Sequence, residues 1–349
     1  MKRILLIILL LVVLAASIGA WKVLGPATGF TAKTYYLEIP TGSSNEQVLE
    51  IIRKDTVVKN PSLFGVIASQ LDYPESVKAG RYSIPANSSM LSIIRKLRNG
   101  QQDAVNLVIT KLRTKEDLAS LAARKLEFDS TAMISFLNNN DSLKAYGLDS
   151  NTVMTGVMPD TYTYFWNTTP SKVIAKIMRS RESFWNEERK QQATGLKLSP
   201  EQVVILASIV EEETNKNDEK DTIASVYINR LNKGMRLGAD PTVKFALRDF
   251  GLKRIYNKHL AVESPYNTYR VAGLPPGPIC TPQKVTIDAV LRAPQTNYLF
   301  FVARPDFSGY HVFAENYNQH LQYAKAYQSA LDTYMKKKNQ PEDTGNNGK

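Results

Sequence analysis

Between Val203 and Val243 an apolar run ends in three consecutive carboxyl residues, Glu211, Glu212 and Glu213, and a polar, turn-rich segment follows. Ser199-Pro200-Glu201-Gln202 reads as a helix start, with serine at the cap, proline in the first turn and glutamine three residues on. From Val203 to Val210 only Ser208 interrupts the apolar residues, so this helix is expected to lie buried between other elements. Glu211 falls one turn beyond Ala207 and nearly two beyond Val204, on a face that is apolar up to that point. A carboxyl there would be partly desolvated and would keep its proton more tightly, as a general acid near neutrality requires. Glu212 and Glu213 point about 100° and 200° further round the helix, so the three cannot share one narrow cleft. The geometry favours one working carboxyl, Glu211. Ordinary glycoside hydrolysis instead sets two carboxyls across the scissile bond, and Asp240 is the candidate for a second. The plain alternative is a solvated helix end that opposes the helix dipole.

The following segments offer supporting groups. Thr222 to Leu231 has helical spacing, with Ile223, Val226, Tyr227 and Leu231 as its packing stripe and Asn229-Arg230 near its end. Arg230 could grip a carboxylate through two hydrogen bonds or cap the helix terminus. Gly234 breaks the helix, and Met235 to Val243 reads as extended or turned before another helix. The loops Ser264-Pro265-Tyr266-Asn267-Thr268-Tyr269 and Gly273 to Ile279 are dense in proline and glycine. Rigid exposed loops of this kind carry binding groups, here Tyr266, Asn267 and Tyr269, or serve only as structural connections.

These elements are introduced by an N-terminus suited to a bilayer. Lys2 and Arg3 precede eighteen uncharged residues, Ile4 to Trp21, near the lower length for a membrane-spanning helix. The leading charges favour an N-terminus inside and the remaining chain outside the cytoplasm. A cleaved signal peptide is the rival, since small residues occur near the end of the run. Trp21, as an interfacial anchor, favours retention. Cys280 is the single cysteine, so no internal disulfide forms. The three histidines, His259, His311 and His320, make no metal-binding pattern, and no cofactor is expected. The net charge of +11 is scattered, as on a solvated surface; attraction to anionic lipid or an acidic polymer also fits, and export argues against nucleic acid.

The rest of the chain divides by pattern. A strand from Tyr35 to Pro40, a helix from Ser43 or Ser44, a second through Phe64, Ile67 and Leu71, a strand near Tyr82 and a helix from Ser88 or Ser89 to Gly100 suggest a small α/β module. A strand from Val105 to Ile109 and a helix from Lys115 to Lys125 follow, the latter capped by Thr114 with Asp117 as its reciprocal partner. Phe128 to Asn140 gives a short helix. The aromatic segment Gly156 to Thr168 reads as a core strand or a cleft wall for sugar faces. Ser171 to Lys190 reads as one helix. Leu321 to Tyr334 reads as a terminal helix, and residues 335–349 as a disordered tail.

Taken in order, the blocks Ala207 to Glu213, Asn229-Arg230-Leu231, Gly234 to Leu237, Asp240-Pro241-Thr242-Val243, Ser264 to Tyr269, Gly273 to Ile279, Tyr298 to Val302 and His311-Val312-Phe313 are similar to those of the MltG/YceG-like family of endolytic murein transglycosylases. Upstream, Lys78 to Tyr82 resembles the family's LysM-like domain. The chain departs from the family pattern at Cys280-Thr281, Asn316 and Gln319, and it is shorter before Pro159. The resemblance implies an α+β protein with a transmembrane helix (1–22), a LysM-like module (36–103) and a larger mixed α/β catalytic domain (104–330). It implies cleavage within peptidoglycan strands, between N-acetylmuramic acid and N-acetylglucosamine, leaving a 1,6-anhydromuramyl end. It further implies Glu211 as acid then base, with Glu213, Asn229, Arg230, Asp240, Thr242, Tyr266, Asn267 and Tyr269 binding substrate or supporting. The expected setting is the cytoplasmic membrane, with the catalytic domain outside the cytoplasm and cell-wall polymerases as partners. A peptidoglycan hydrolase and a noncatalytic peptidoglycan-binding scaffold are the alternatives.

Overall fold

A computed structural model describes residues 2–338. The expected mixed α/β architecture is found, preceded by an apolar helix, α1 (Lys2–Leu24), that buries none of its residues. This helix is long and apolar enough to cross a membrane. The chain divides into two compact units. The first comprises the chain up to Leu107 with Ala119–Met133 and Thr161–Val173; the second comprises Val108–Leu118, Ile134–Asp160 and the chain from Ile174 on.

In the first unit, β1 (Thr34–Ile39) and β2 (Gly80–Pro85) pair antiparallel, from Thr34 opposite Pro85 to Ile39 opposite Gly80. Between them run α2 (Asn45–Lys54) and α3 (Pro61–Gln70), and α4 (Met90–Asn99) follows β2. Each helix begins at a side-chain cap: Ser44 with a reciprocal Gln47, Asn60 before Pro61, and Ser89. Gly100 ends α4 in the left-handed conformation (φ 66°) that a side chain would resist. Leu37, Ile39, Val48, Ile52, Phe64, Tyr82 and Ile94 close a core from which water is excluded. Residues 36–103, expected as a separate module, all fall within this unit.

Next come β3 (Ala104–Ile109) and β4 (Asp160–Phe165), which form a two-stranded sheet. Tyr162 and Tyr164 of the aromatic segment are buried, as a core strand requires, whereas Phe165 is exposed. Thr114 and Asp117 make the expected reciprocal cap before α5 (Lys115–Ala123). The short helices α6 (Ser130–Asn138) and α7 (Asn140–Lys144) follow.

The single helix expected over Ser171 to Lys190 is two, α8 (Pro170–Phe184) and α9 (Glu187–Gly195). Asn186 breaks it by capping α9, its side chain accepting the Arg189 N–H, a local bond that hydrophobic periodicity does not register. The second unit then centres on α10 (Pro200–Glu213), whose capping box and Pro200 are as expected. Residues Val203 to Glu211 are all buried, because α11 (Lys220–Asn232) and α14 (Lys284–Leu291) pack against it. The segment read as extended from Met235 to Val243 is helical from Asp240, where α12 (Asp240–Leu247) begins with Pro241 in its first turn. A one-turn helix, α13 (Asn257–Leu260), precedes the Ser264 to Tyr269 loop. The antiparallel pair β5 (Phe300–Ala303) and β6 (His311–Ala314) carries α15 (Tyr317–Lys338). Residues 335–338, expected in a disordered tail, continue α15; 339–349 lie outside the described residues.

Candidate active site

At the end of α10 the three glutamates enter three different surroundings, as their angular separation requires. Glu211 is 8% exposed and its Oε2 meets Lys220 Nζ at 3.0 Å. The Thr286 hydroxyl also bonds that oxygen and accepts from Lys220 Nζ at 2.8 Å. Lys220 and Thr286 are themselves buried. Glu211 was expected to stand in the cleft as a proton donor; its carboxyl is instead committed to a buried ion pair between α10, α11 and α14. The physical reason is that its apolar face turns into the core, and a charge taken there needs a counter-charge.

Glu212 turns to Lys111 at 2.9 Å and Arg113 at 3.1 Å. Burial works to raise its carboxyl, but these two cations outweigh it and hold it below the ordinary range.

Glu213 is half-buried and accepts a 2.5 Å hydrogen bond from the Tyr227 hydroxyl. Burial pushes its carboxyl up to about 7, and the Asp240 charge adds to the rise. The Tyr227 hydrogen bond and the charges of Arg230 and Lys244 oppose it. Glu213 is therefore the carboxyl held where a proton can be both given and taken near neutrality.

Around it the structure gathers part of the expected set. Asp240, in the first turn of α12, accepts from the Tyr269 hydroxyl at 2.6 Å. Burial and the Asp240 charge push that phenol far up, so it stays a neutral donor. Arg230 lies on the same face of α11 as Tyr227, three residues on. Its Nε donates to the Leu299 carbonyl at 2.6 Å, Nη1 donates to the Leu237 carbonyl, and its guanidinium lies over the Phe300 ring. The expected grip of Arg230 on a carboxylate is thus replaced by bonds to backbone, which leave it to act on Glu213 through its charge. Gly238, at φ 58°, lies against both the Arg230 Nη1 and the Tyr269 ring, where a side chain would strain the turn.

Other expected site residues build the walls. Asn229 donates to the carbonyls of Thr296 and Tyr298, fastening α11 to the chain before β5. Thr242 is buried, donates to the Ala239 carbonyl and meets the Thr268 hydroxyl. Asn267, fully buried, donates to the carbonyls of Leu260 and Val262 and accepts the Tyr269 N–H. It organises the loop that aims Tyr269. Tyr266 points elsewhere, its ring packed at a tilt of 42° against Phe245 with centroids 4.6 Å apart, and lies beside Gly277. By its spacing Tyr227 falls on the packing stripe of its helix; its i,i+3 relation to Arg230 is the sign in the sequence of a second role. Nothing in local spacing marks Lys220 or Thr286 as the partners of Glu211.

Comparison with known proteins agrees with the motif reading. Residues 37–326 match the model of the YceG-like family. An endolytic murein transglycosylase of Bacillus subtilis is 27% identical over 334 residues, covering 91% of this chain and 90% of that protein. One from Streptococcus pneumoniae R6 is 24% identical and covers 80% of this chain, which spans 56% of that protein. The 2.6 Å crystal structure of a putative yceG-like protein from Listeria monocytogenes superposes with a TM-score of 0.56 at 26% identity, covering 84% of this chain and 99% of that one. A single family model spanning most of both compact units, with the Glu213 cluster inside it, places the chain in the YceG-like family.

Proposed function

We propose that this protein is an endolytic murein transglycosylase that cuts the β-1,4 bond between N-acetylmuramic acid and N-acetylglucosamine, with Glu213 as its acid and base. The observation that carries this reading is the Glu213 carboxyl, half-buried and raised to about 7 among Tyr227, Arg230, Asp240 and Tyr269. The named activity of the related proteins supplies the substrate class.

The protonated Glu213 gives its proton to the glycosidic oxygen as the bond to muramic C1 breaks. Positive charge develops on the ring, and the Asp240 carboxylate lies close enough to influence Glu213 electrostatically and so to favour that charge. The Glu213 carboxylate then takes the proton of the muramic C6 hydroxyl as O6 bonds to C1. The proton lost in the first half is regained in the second, and no water is consumed. The Tyr227 hydrogen bond steadies the carboxylate between the two steps. One carboxyl suffices for this cycle, whereas hydrolysis needs a second across the bond.

Apolar α1, with Lys2 and Arg3 in its first turn, supports retention at the cytoplasmic membrane with the catalytic domain outside, acting on nascent strands beside polymerases. The helix pair between antiparallel β1 and β2 supports reading the first unit as a LysM-like glycan guide.

Mass spectrometry of digested glycan tests the assignment. Wild type and Glu211→Gln, where folded, are expected to release anhydromuramyl ends; Glu213→Gln is expected to lose at least about 100-fold in rate. Reducing ends carrying one more water, or undiminished product from folded Glu213→Gln, would overturn it.

A further inference from the structure

The second unit carries a cavity of about 190 Å³ that the chemistry above does not use. Arg113, Lys115 and Arg248 line it against one lining carboxylate, Glu116, with Phe245 and Tyr266 on its apolar side. Arg113 shares Glu212 with Lys111, so two cations there meet one carboxylate. Arg248 meets Glu116 at 3.2 Å, but both side chains are more than half exposed and the pair is weak. Lys115 hydrogen-bonds neutral oxygens, Asn138 Oδ1 at 2.5 Å and the Ser150 carbonyl at 3.0 Å, and has no ion pair among the described residues. Burial pushes its ammonium below the ordinary range, with Glu116 and Asp149 pulling the other way. Asp149 Oδ1 itself accepts the N–H groups of Asn151 and Thr152. Four cations therefore face three carboxylates, and the least compensated of them is partly desolvated. That is a site for an anion.

Its position relative to Glu213 is set by two elements. Helix α12 begins at Asp240, beside Glu213, and its far end supplies Phe245 and then Arg248 to the cavity. Eight helical residues span roughly 12 Å. The 264–269 loop runs the same way, with Tyr269 on Asp240 and Tyr266 in the cavity wall. A sugar held at Glu213 would thus have its side arm within reach of the cations.

We propose that this cavity binds a carboxylate on the side arm of muramic acid, either of the peptide stem or of the lactyl group left when the stem is removed, and so selects glycan by its substituents. The inference rests on Glu213 as the reaction centre. Binding is measured in the Glu213→Gln background, by fluorescence anisotropy of labelled glycan oligomers. Four oligomers are used: peptide-bearing and peptide-stripped, each with its carboxyls free or converted to methylamides. Arg248 has φ 55°, a conformation asparagine adopts readily, so Arg248→Asn removes the charge without straining the turn. Lys115→Gln is the second variant, and thermal melts confirm that each is folded. Each is expected to weaken binding of a carboxylated oligomer by about five- to tenfold, and to leave methylamide oligomers unaffected. Loss with peptide-bearing oligomers alone identifies the stem, and loss with stripped oligomers the lactyl group. Unchanged affinity of both variants for every carboxylated oligomer would overturn the proposal. The reading of Glu213 fails separately, if the protein with Glu213 intact forms no anhydromuramyl ends while the charge-dependent binding persists.

Discussion

Replacing Glu211 and Glu213 by glutamine, one at a time, should move stability in opposite directions. In Glu211→Gln the buried Lys220 ammonium keeps, among the described residues, only Thr286 and a neutral amide as partners. Breaking a buried pair by removing one member costs about 3–5 kcal/mol, and the amide oxygen places this case near the lower end. For a domain of this size that lowers Tm by roughly 6–12 °C. Glu213 behaves in the opposite way, because its carboxyl is raised to about 7 in the folded protein from an ordinary value of 4.5. The folded state then binds more protons than the unfolded between those values. Stability attributable to this group is complete below pH 4.5 and is lost as pH rises through 7. Above pH 7 the wild type carries a half-buried carboxylate that glutamine does not, and after discounting for solvent Glu213→Gln should gain about 2 kcal/mol at pH 8. That gain should vanish near pH 4. Urea melts of both variants at pH 4, 6 and 8 measure these differences, with product formation assayed in parallel. The reasoning fails if Glu213→Gln is destabilised at pH 8, or if Glu211→Gln is as stable as wild type and inactive.

The pH dependence of the rate offers a second pair of opposed outcomes. Activity that needs protonated Glu213 should fall as pH rises through about 7. Tyr227→Phe removes the hydrogen bond that favours the carboxylate and should move this limb up by about one unit, whereas Asp240→Asn removes a repelling charge and should move it down. Identical limbs in all three proteins would exclude Glu213 as their source. Asn267→Ala should cost about 2–4 kcal/mol by leaving the Leu260 and Val262 carbonyls and the Tyr269 N–H without their partner. Activity at permissive temperature should fall with it, as Tyr269 loses its aim; wild-type melting of this variant would show that the loop is held by something else.

Much of the scaffold was legible in the sequence because it is written in local signals. Capping residues announced α2, α4, α5 and α10, and the apolar stretch announced α1. The pattern misleads where a local bond cuts across hydrophobic periodicity, as at Asn186, and where a proline in a turn-like run opens a helix, as at Pro241.

The family and the position of the acidic cluster at the end of a buried helix were determined by the sequence alone, since ordered motifs and helical periodicity are properties of the chain. Helical angles also showed that the three glutamates must part company. The proposal of Glu213 over its neighbours rests on tertiary structure. Burial by itself does not make an acid, because Glu211, the most buried in side-chain exposure, is met by Lys220 from α11 and Thr286 from α14. Glu213 is half-desolvated beside a like charge from α12 and keeps its proton to about 7. The counter-charge that separates these fates comes from residues distant in sequence, and only folding brings them to the helix end.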